Sequence, residues 1–348
     1  MRRELITATC ISIITFIAGA VLYVGRPVLI PIAFSIITCY VIYGLAEMLH
    51  RLPRLGAHLR AGVRYWCSAL LIFAAAYGAI ELLLIDSARI EAVGPKYEAT
   101  LLALLGKMAA LLHIETDASW TTFRRILLDT LNIKSMISLL VSSISSILAT
   151  TLLVMLYTLF FMMEIGRFQH KLFTVMGGKA NLAPLIYAIN SKIGTYLALK
   201  ALLGVVVGVL SWICMWIAGL EFASLIAVLI VVLNFVPYAG SLISVVLPGL
   251  LAALQFGQWS EPLAILIVLA SINFVMGNVL DPWLMAGSMN LSPAVILMSL
   301  AVWTAMWGAA GSFLAIPGTV ALTIIFSAFP ATRPITLLLT KDDPGAHR

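Results

Sequence analysis

The side chains best placed to do chemistry in this chain are amides and hydroxyls set inside apolar runs. The stretch "LNFVPYAGS" (233–241) brings Asn234, Tyr238 and Ser241 together with Pro237 and Gly240, although no charged residue occurs from Phe222 to Leu254. A second stretch, "INFVMGNVLDPWLMAG" (272–287), carries Asn273, Asn278 and Asp281. Amides and hydroxyls can hold a neutral polar solute by hydrogen bonds alone. Asp281 adds one ionisable group beside Pro282, which disfavours helical geometry at the residue before it. Two readings of Asp281 stay open: an interfacial or capping carboxylate, or a binding and proton-coupling group. Each Asn likewise reads either as a hydrogen bond between helices or as part of a site.

Charge narrows the chemistry further. Between Lys200 and Arg333 there is no Lys or Arg, and the acids are Glu221, Glu261 and Asp281. A site built there suits a neutral polar solute or a cation and does not hold a strong anion by side-chain charge. The sequence has no HExxH, GxSxG or GxGxxG pattern and no His-rich set, so it calls for no enzyme, metal or cofactor. "VMGGKA" (175–180) lacks the spacing of a phosphate loop. The net charge of +6 needs no nucleic-acid partner.

The polar residues sit where the backbone itself is interrupted. Pro237 cannot donate a backbone hydrogen bond, and Gly240 lets the chain bend. "MWGAAGSFLAIPGTV" (306–320) repeats the device with Gly308, Gly311, Pro317 and Gly318. Irregular backbone at membrane depth is tolerated only where protein or a watery cavity surrounds it. Two Gly/Pro-interrupted apolar segments in one chain point to a transporter's binding site. The alternative is that each run is a single kinked and tilted helix. The reading adopted is that the two breaks face each other across a polar cavity.

These breaks belong to a chain that is 62% hydrophobic and 10% charged, against roughly 25% charged for a soluble domain. The fold class expected is an all-α polytopic membrane protein with about eight membrane segments. A span needs about 20 apolar residues. Single spans are expected near Leu5–Val24, Pro27–Ala46, Tyr65–Ile85, Val141–Ile165, Leu197–Ala218 and Pro262–Leu280. The runs Phe222–Leu254 and Ala294–Phe329 are too long for one simple span, and hairpins or kinked helices both fit them. The first run reads as an uncleaved span, being longer than a signal-peptide core. Basic clusters at Arg2–Arg3, Arg51–Arg64, Arg167–Lys192 and Arg333–Arg348 place both termini in the cytoplasm.

Amphipathic surface helices complete the layout. In "KYEATLLALLGKMAALLHIE" (96–115), Leu101, Leu104, Leu105, Met108, Leu111 and Leu112 recur at helical spacing, and "SWTTFRRILLDTLNIKSMI" (119–137) repeats the pattern. These are expected outside, on the bilayer or against a neighbouring subunit. A cytoplasmic amphipathic helix with Asn181 as its cap leads into the fifth span, where Gly204 and Gly208 predict close helix packing. Cys10, Cys39, Cys67 and Cys214 read as buried free thiols. The regions expected are a three-span segment (1–85), extracytoplasmic helices (86–140), a fourth span with the cytoplasmic helix (141–196), a transport core (197–332) and a cytoplasmic tail (333–348).

The C-terminal half resembles the autoinducer-2 exporter (AI-2E) family. The resemblance is carried by "LNFVPYAGSLISVVLPGLLAAL" (233–254), "GNVLDPWLMAGSMNLSPAVILMSLAVW" (277–303) and "WGAAGSFLAIPGTVAL" (307–322). The matching positions are Asn234 to Pro237 with Gly240; Asn278, Asp281, Pro282 and Gly287; and Trp307-Gly308, Gly311 and Ile316-Pro317. The resemblance implies a multi-pass transporter of the bacterial inner membrane that moves a small polar solute outward, with autoinducer-2 as the named solute. It also implies a homo-oligomer, a pentamer, with an elevator-like moving part that includes the broken helices. Exchange of Na⁺ or Li⁺ for protons is the alternative it carries, with Asp281 as the shared carboxylate. A non-transporting membrane scaffold is the third reading.

Overall fold

In the computed structural model the described residues are 2–50, 60–111, 146–164, 183–285, 291–328 and 332–340. The described elements are helical: α1 (Arg2–Val24), α2 (Arg26–His50), α3 (Ala61–Leu111), α4 (Ser146–Glu164), α5 (Ala183–Ile217), α6 (Ala223–Leu233), α7 (Ala239–Phe256), α8 (Ser260–Val275), a π-helical turn (Met276–Leu280), α9 (Asp281–Met285), α10 (Pro293–Trp307), α11 (Ala309–Ala328) and α12 (Arg333–Leu339). Among the described residues, seven helices are long and apolar enough to cross a membrane. Shorter apolar helices are α6, α10 and the stretch Ser12–Val24 of α1.

The described chain divides into two compact units. One comprises Met1–Ser68, Thr151–Ala198 and Met285–Arg348; the other comprises Ala69–Thr150 and Leu199–Leu284.

In the first unit, small residues let helices approach. A Cβ on Gly44 of α2 would stand 2.4 Å from the Ala198 Cβ and 2.7 Å from the Gly194 carbonyl oxygen of α5. Without a hydrophobic difference between lipid and side chain, such van der Waals contact and buried hydrogen bonds hold helices together. Phe34 packs against Phe313 in a tilted ring pair, 5.0 Å between centroids, and Trp307 donates its indole N–H to the Leu22 carbonyl at 2.9 Å. The run expected at Ala294–Phe329 is divided at Gly308 into α10 and α11. The two arms lie side by side: Trp303 donates to the Thr319 hydroxyl at 3.3 Å, and Thr304 and Ser312 share a hydrogen bond of 2.7 Å. The tail returns to the base of this pair, where Ser292 N–H donates to the Leu339 carbonyl and Leu291 bridges Thr340.

In the second unit, α5, α6, α7 and α8 share one apolar core that includes Val207, Met215, Ile226, Ile230, Ala252 and Leu269. The predicted glycine pair does pack closely: a Cβ on Gly204 or Gly208 would meet the Val231 oxygen at 3.1 Å or its Cγ2 at 2.4 Å. The run 222–254 is likewise two helices. Gln255 closes their base, accepting from Glu221 N–H at 2.7 Å and donating to the Gly219 carbonyl at 2.8 Å.

α3 runs unbroken through residue 85, where the apolar run ends, and continues past Pro95 for 51 residues in all. Hydropathy marks the membrane-grade part, Gly62–Asp86, but hydrogen bonding carries the helix further. The extension packs on the loops of its own unit. Tyr97 donates to Glu221 at 2.8 Å, Lys96 pairs with the same carboxylate at 3.4 Å, and Lys107 donates to the Gly257 carbonyl at 3.1 Å. The amphipathic stretch at 119–137 and the cap at Asn181 lie outside the described residues. Cys39, Cys67 and Cys214 are free thiols, but none is fully buried as expected: Cys39 and Cys214 are half-buried and Cys67 is exposed.

Candidate functional site at the broken hairpin tip

The tip of the α6–α7 pair is built by a specific failure of helix geometry. α6 ends at Asn234, whose N–H still reaches the Ile230 carbonyl at 2.9 Å. Phe235 and Val236 then form tight three-residue bonds to Val232 and Leu233. Pro237 supplies no donor, and Tyr238 adopts φ +58°, unusual for a residue with a Cβ. The helix restarts at Ala239, and Gly240 sits where a Cβ would stand 1.9 Å from the Leu233 oxygen. Glycine is therefore required at this position by contact, since the turn folds back onto the end of α6.

Asn234 reaches another element from the tip. Its amide lies 3.5 Å from the Lys200 carbonyl on α5 and lines the close approach at Gly204. Lys200 in turn extends its ammonium to Asp281, with Nζ 2.6 Å from Oδ2. The two side chains are 12% and 23% exposed. A charged pair this short within an apolar span is a charge-assisted hydrogen bond that compensates part of the desolvation cost of both ions. Asp281 follows directly on the π-helical turn Met276–Leu280, whose wider winding re-aims the residues after it.

The other expected residues are placed differently. Asn273 and Asn278 donate to carbonyls four residues earlier in their own helix, Leu269 at 3.0 Å and Phe274 at 3.1 Å. Ser241 donates to the Tyr238 carbonyl at 2.9 Å, and the Tyr238 side chain is exposed. These donors are spent locally and relieve backbone oxygens near the breaks. Gly308, Gly311 and Pro317 belong to the first unit. Gly308 is the turn itself, with φ +62°. Gly311 presses on the Trp303 oxygen, 1.8 Å from a would-be Cβ, and Pro317 is buried within α11. Asn234 and Asp281 thus converge with Lys200, a residue that in sequence only bounds the stretch without Lys or Arg. The available signal was a lysine seven residues into the 25-residue apolar span Ile193–Ile217, since a charge inside a span is a functional pointer by default. Among the described residues no group of His, Cys, Asp and Glu could hold a metal ion.

The chain is 28% identical over 221 residues to the putative transport protein YhhT of Escherichia coli K12, covering 63% of each chain. It is 27% identical over 205 residues to the AI-2 transport protein TqsA of the same organism, covering 58% of each. A putative transport protein of Borreliella burgdorferi is 33% identical over 138 residues, 39% of this chain and 38% of that one. The chain thus matches less than two thirds of the length of each of these relatives. The family model described as "AI-2E family transporter" matches residues 10–331. With that match running through the N-terminal helices, the hairpin tip and the divided run at Gly308, the chain belongs to the AI-2E transporter family.

Proposed function

We propose that this multi-pass membrane protein exports a small, polar, uncharged solute across the bacterial inner membrane by an elevator-like alternating-access mechanism. The observation that carries the reading is the ion pair between Lys200 and Asp281 beside the Asn234 tip. Asp281 is the carboxylate a cation would need, and Lys200 already neutralises it. What the site offers a solute is a set of hydrogen-bonding groups with no net charge: the Asn234 amide, the remaining ammonium donors and the backbone freed at Pro237. The reading includes cytoplasmic termini, which the basic clusters support, and a homo-oligomer, a pentamer, which the family resemblance supports.

Autoinducer-2 is the first solute to test, since the E. coli relative TqsA carries the name AI-2 transport protein. The experiment is efflux from proteoliposomes loaded with autoinducer-2, measured for the native chain and for Asn234→Leu. The expected outcome is export that Asn234→Leu removes while the variant elutes as the native protein does. A pH-dependent Na⁺ or Li⁺ signal lost in Asp281→Asn would instead favour cation–proton antiport. No movement of either kind, with variants affecting stability alone, would leave a membrane scaffold.

A further inference from the structure

Lys200 is a cation tethered within reach of the Asp281 carboxylate. Its Nζ lies 2.6 Å from Asp281 Oδ2, inside the contact range where a free monovalent cation would compete for the same oxygen. Both groups lie mostly out of solvent, so displacing the ammonium would leave an unpaired charge in apolar surroundings. A covalently tethered partner also presents a high effective concentration that a free ion must overcome. The tether is held in place from its other side, because the Asn234 amide approaches the Lys200 carbonyl and Gly204 admits the tip against α5.

We propose that Lys200 is the specificity-determining residue of this site: its ammonium occupies the Asp281 carboxylate as a built-in cation and thereby excludes Na⁺ and Li⁺. The inference deepens the neutral-solute reading above and rests on it only for the identity of the site. Removing the ammonium uncovers a latent monovalent-cation site at Asp281.

The test uses the full chain in lipid nanodiscs and follows amide exchange over residues 276–284 in NaCl, LiCl or choline chloride at equal ionic strength. The native protein and Lys200→Arg exchange equally in all three salts. Lys200→Gln exchanges about tenfold more slowly in Na⁺ or Li⁺ than in choline, as expected for a ligand that binds only the folded site. Lys200→Gln combined with Asp281→Asn loses that difference. The proposal is overturned if the native protein already shows a Na⁺ effect that Asp281→Asn removes, or if Lys200→Gln shows none. It is equally overturned if Lys200→Gln fails to fold in Na⁺ and choline alike while the double variant folds. Autoinducer-2 efflux is scored separately: its absence in the native protein removes the solute assignment and leaves the cation result standing.

Discussion

Gly240 and Leu233 stand in contact across the hairpin tip, with the Leu233 carbonyl oxygen 1.9 Å from the position a Gly240 Cβ would take. Gly311 and Trp303 repeat the relationship at the other divided run, at 1.8 Å. In both, the obstructing atom is backbone and cannot rotate away. Gly240→Ala or Gly311→Ala must therefore open the turn, at a cost of about 1–3 kcal/mol or more. Thermal unfolding of the purified variants in detergent checks this. A melting temperature equal to that of the native chain would show that the turns yield freely.

Asn234→Leu removes the tip amide that reaches α5 but keeps its bulk. Its amide makes a long contact, 3.5 Å, so folding loses no more than about 1 kcal/mol. Autoinducer-2 export in proteoliposomes is expected to fall to background at an unchanged elution profile. Normal export by this variant would place the solute elsewhere.

Asp281→Asn leaves the Lys200 ammonium without a counter-charge. A fully buried pair broken on one side costs 3–5 kcal/mol; with Asp281 23% exposed, the cost is set at about 1–3 kcal/mol. Lys200→Met combined with Asp281→Leu removes both charges and is expected to recover stability to within about 1 kcal/mol. Chemical or thermal unfolding of Lys200→Met, Asp281→Leu and their combination measures the coupling directly. Additive single-site effects would show that the two groups do not interact in the membrane.

Tyr97 gives stability an alkaline limit. Burial, then its hydrogen bond to Glu221 and the charge of that carboxylate, raises its pKa above the ordinary tyrosine value. A raised folded pKa means the folded state holds the proton more tightly than the unfolded one. The contribution is therefore complete below the unfolded pKa, near 10, and is lost as pH rises above it. Tyr97→Phe is expected to be less stable than the native chain at pH 8 and to lose less stability between pH 10 and 11. Parallel pH curves for the two proteins would show that the Tyr97–Glu221 contact contributes nothing.

The sequence by itself determined the membrane class and the approximate spans, and it marked the stretches around Pro237 and Gly308 where the long runs divide, although Pro317, expected to share in the second break, lies inside α11. Those features are local: runs of apolar residues set length, Pro237 withholds a donor, and the glycines at 240, 308 and 311 permit turns that other residues resist. The packing of Gly204 and Gly208 was legible for the same reason, since small residues four apart fall on one helix face. Tertiary structure decided what depended on distance along the chain. Lys200 and Asp281 are 81 positions apart, and Gln255 closes a loop 36 positions back at Gly219. No periodicity connects such residues; only the packing of α5 to α9 within one unit brings them together. The helical extension of α3 beyond residue 86 was hidden for a related reason. Hydropathy reports where lipid is tolerated, whereas Tyr97, Lys96 and Lys107 hold that extension through hydrogen bonds to loops more than 120 positions away. Asp281 remained ambiguous in sequence because a carboxylate's role is set by its partner, and its partner is supplied by the fold.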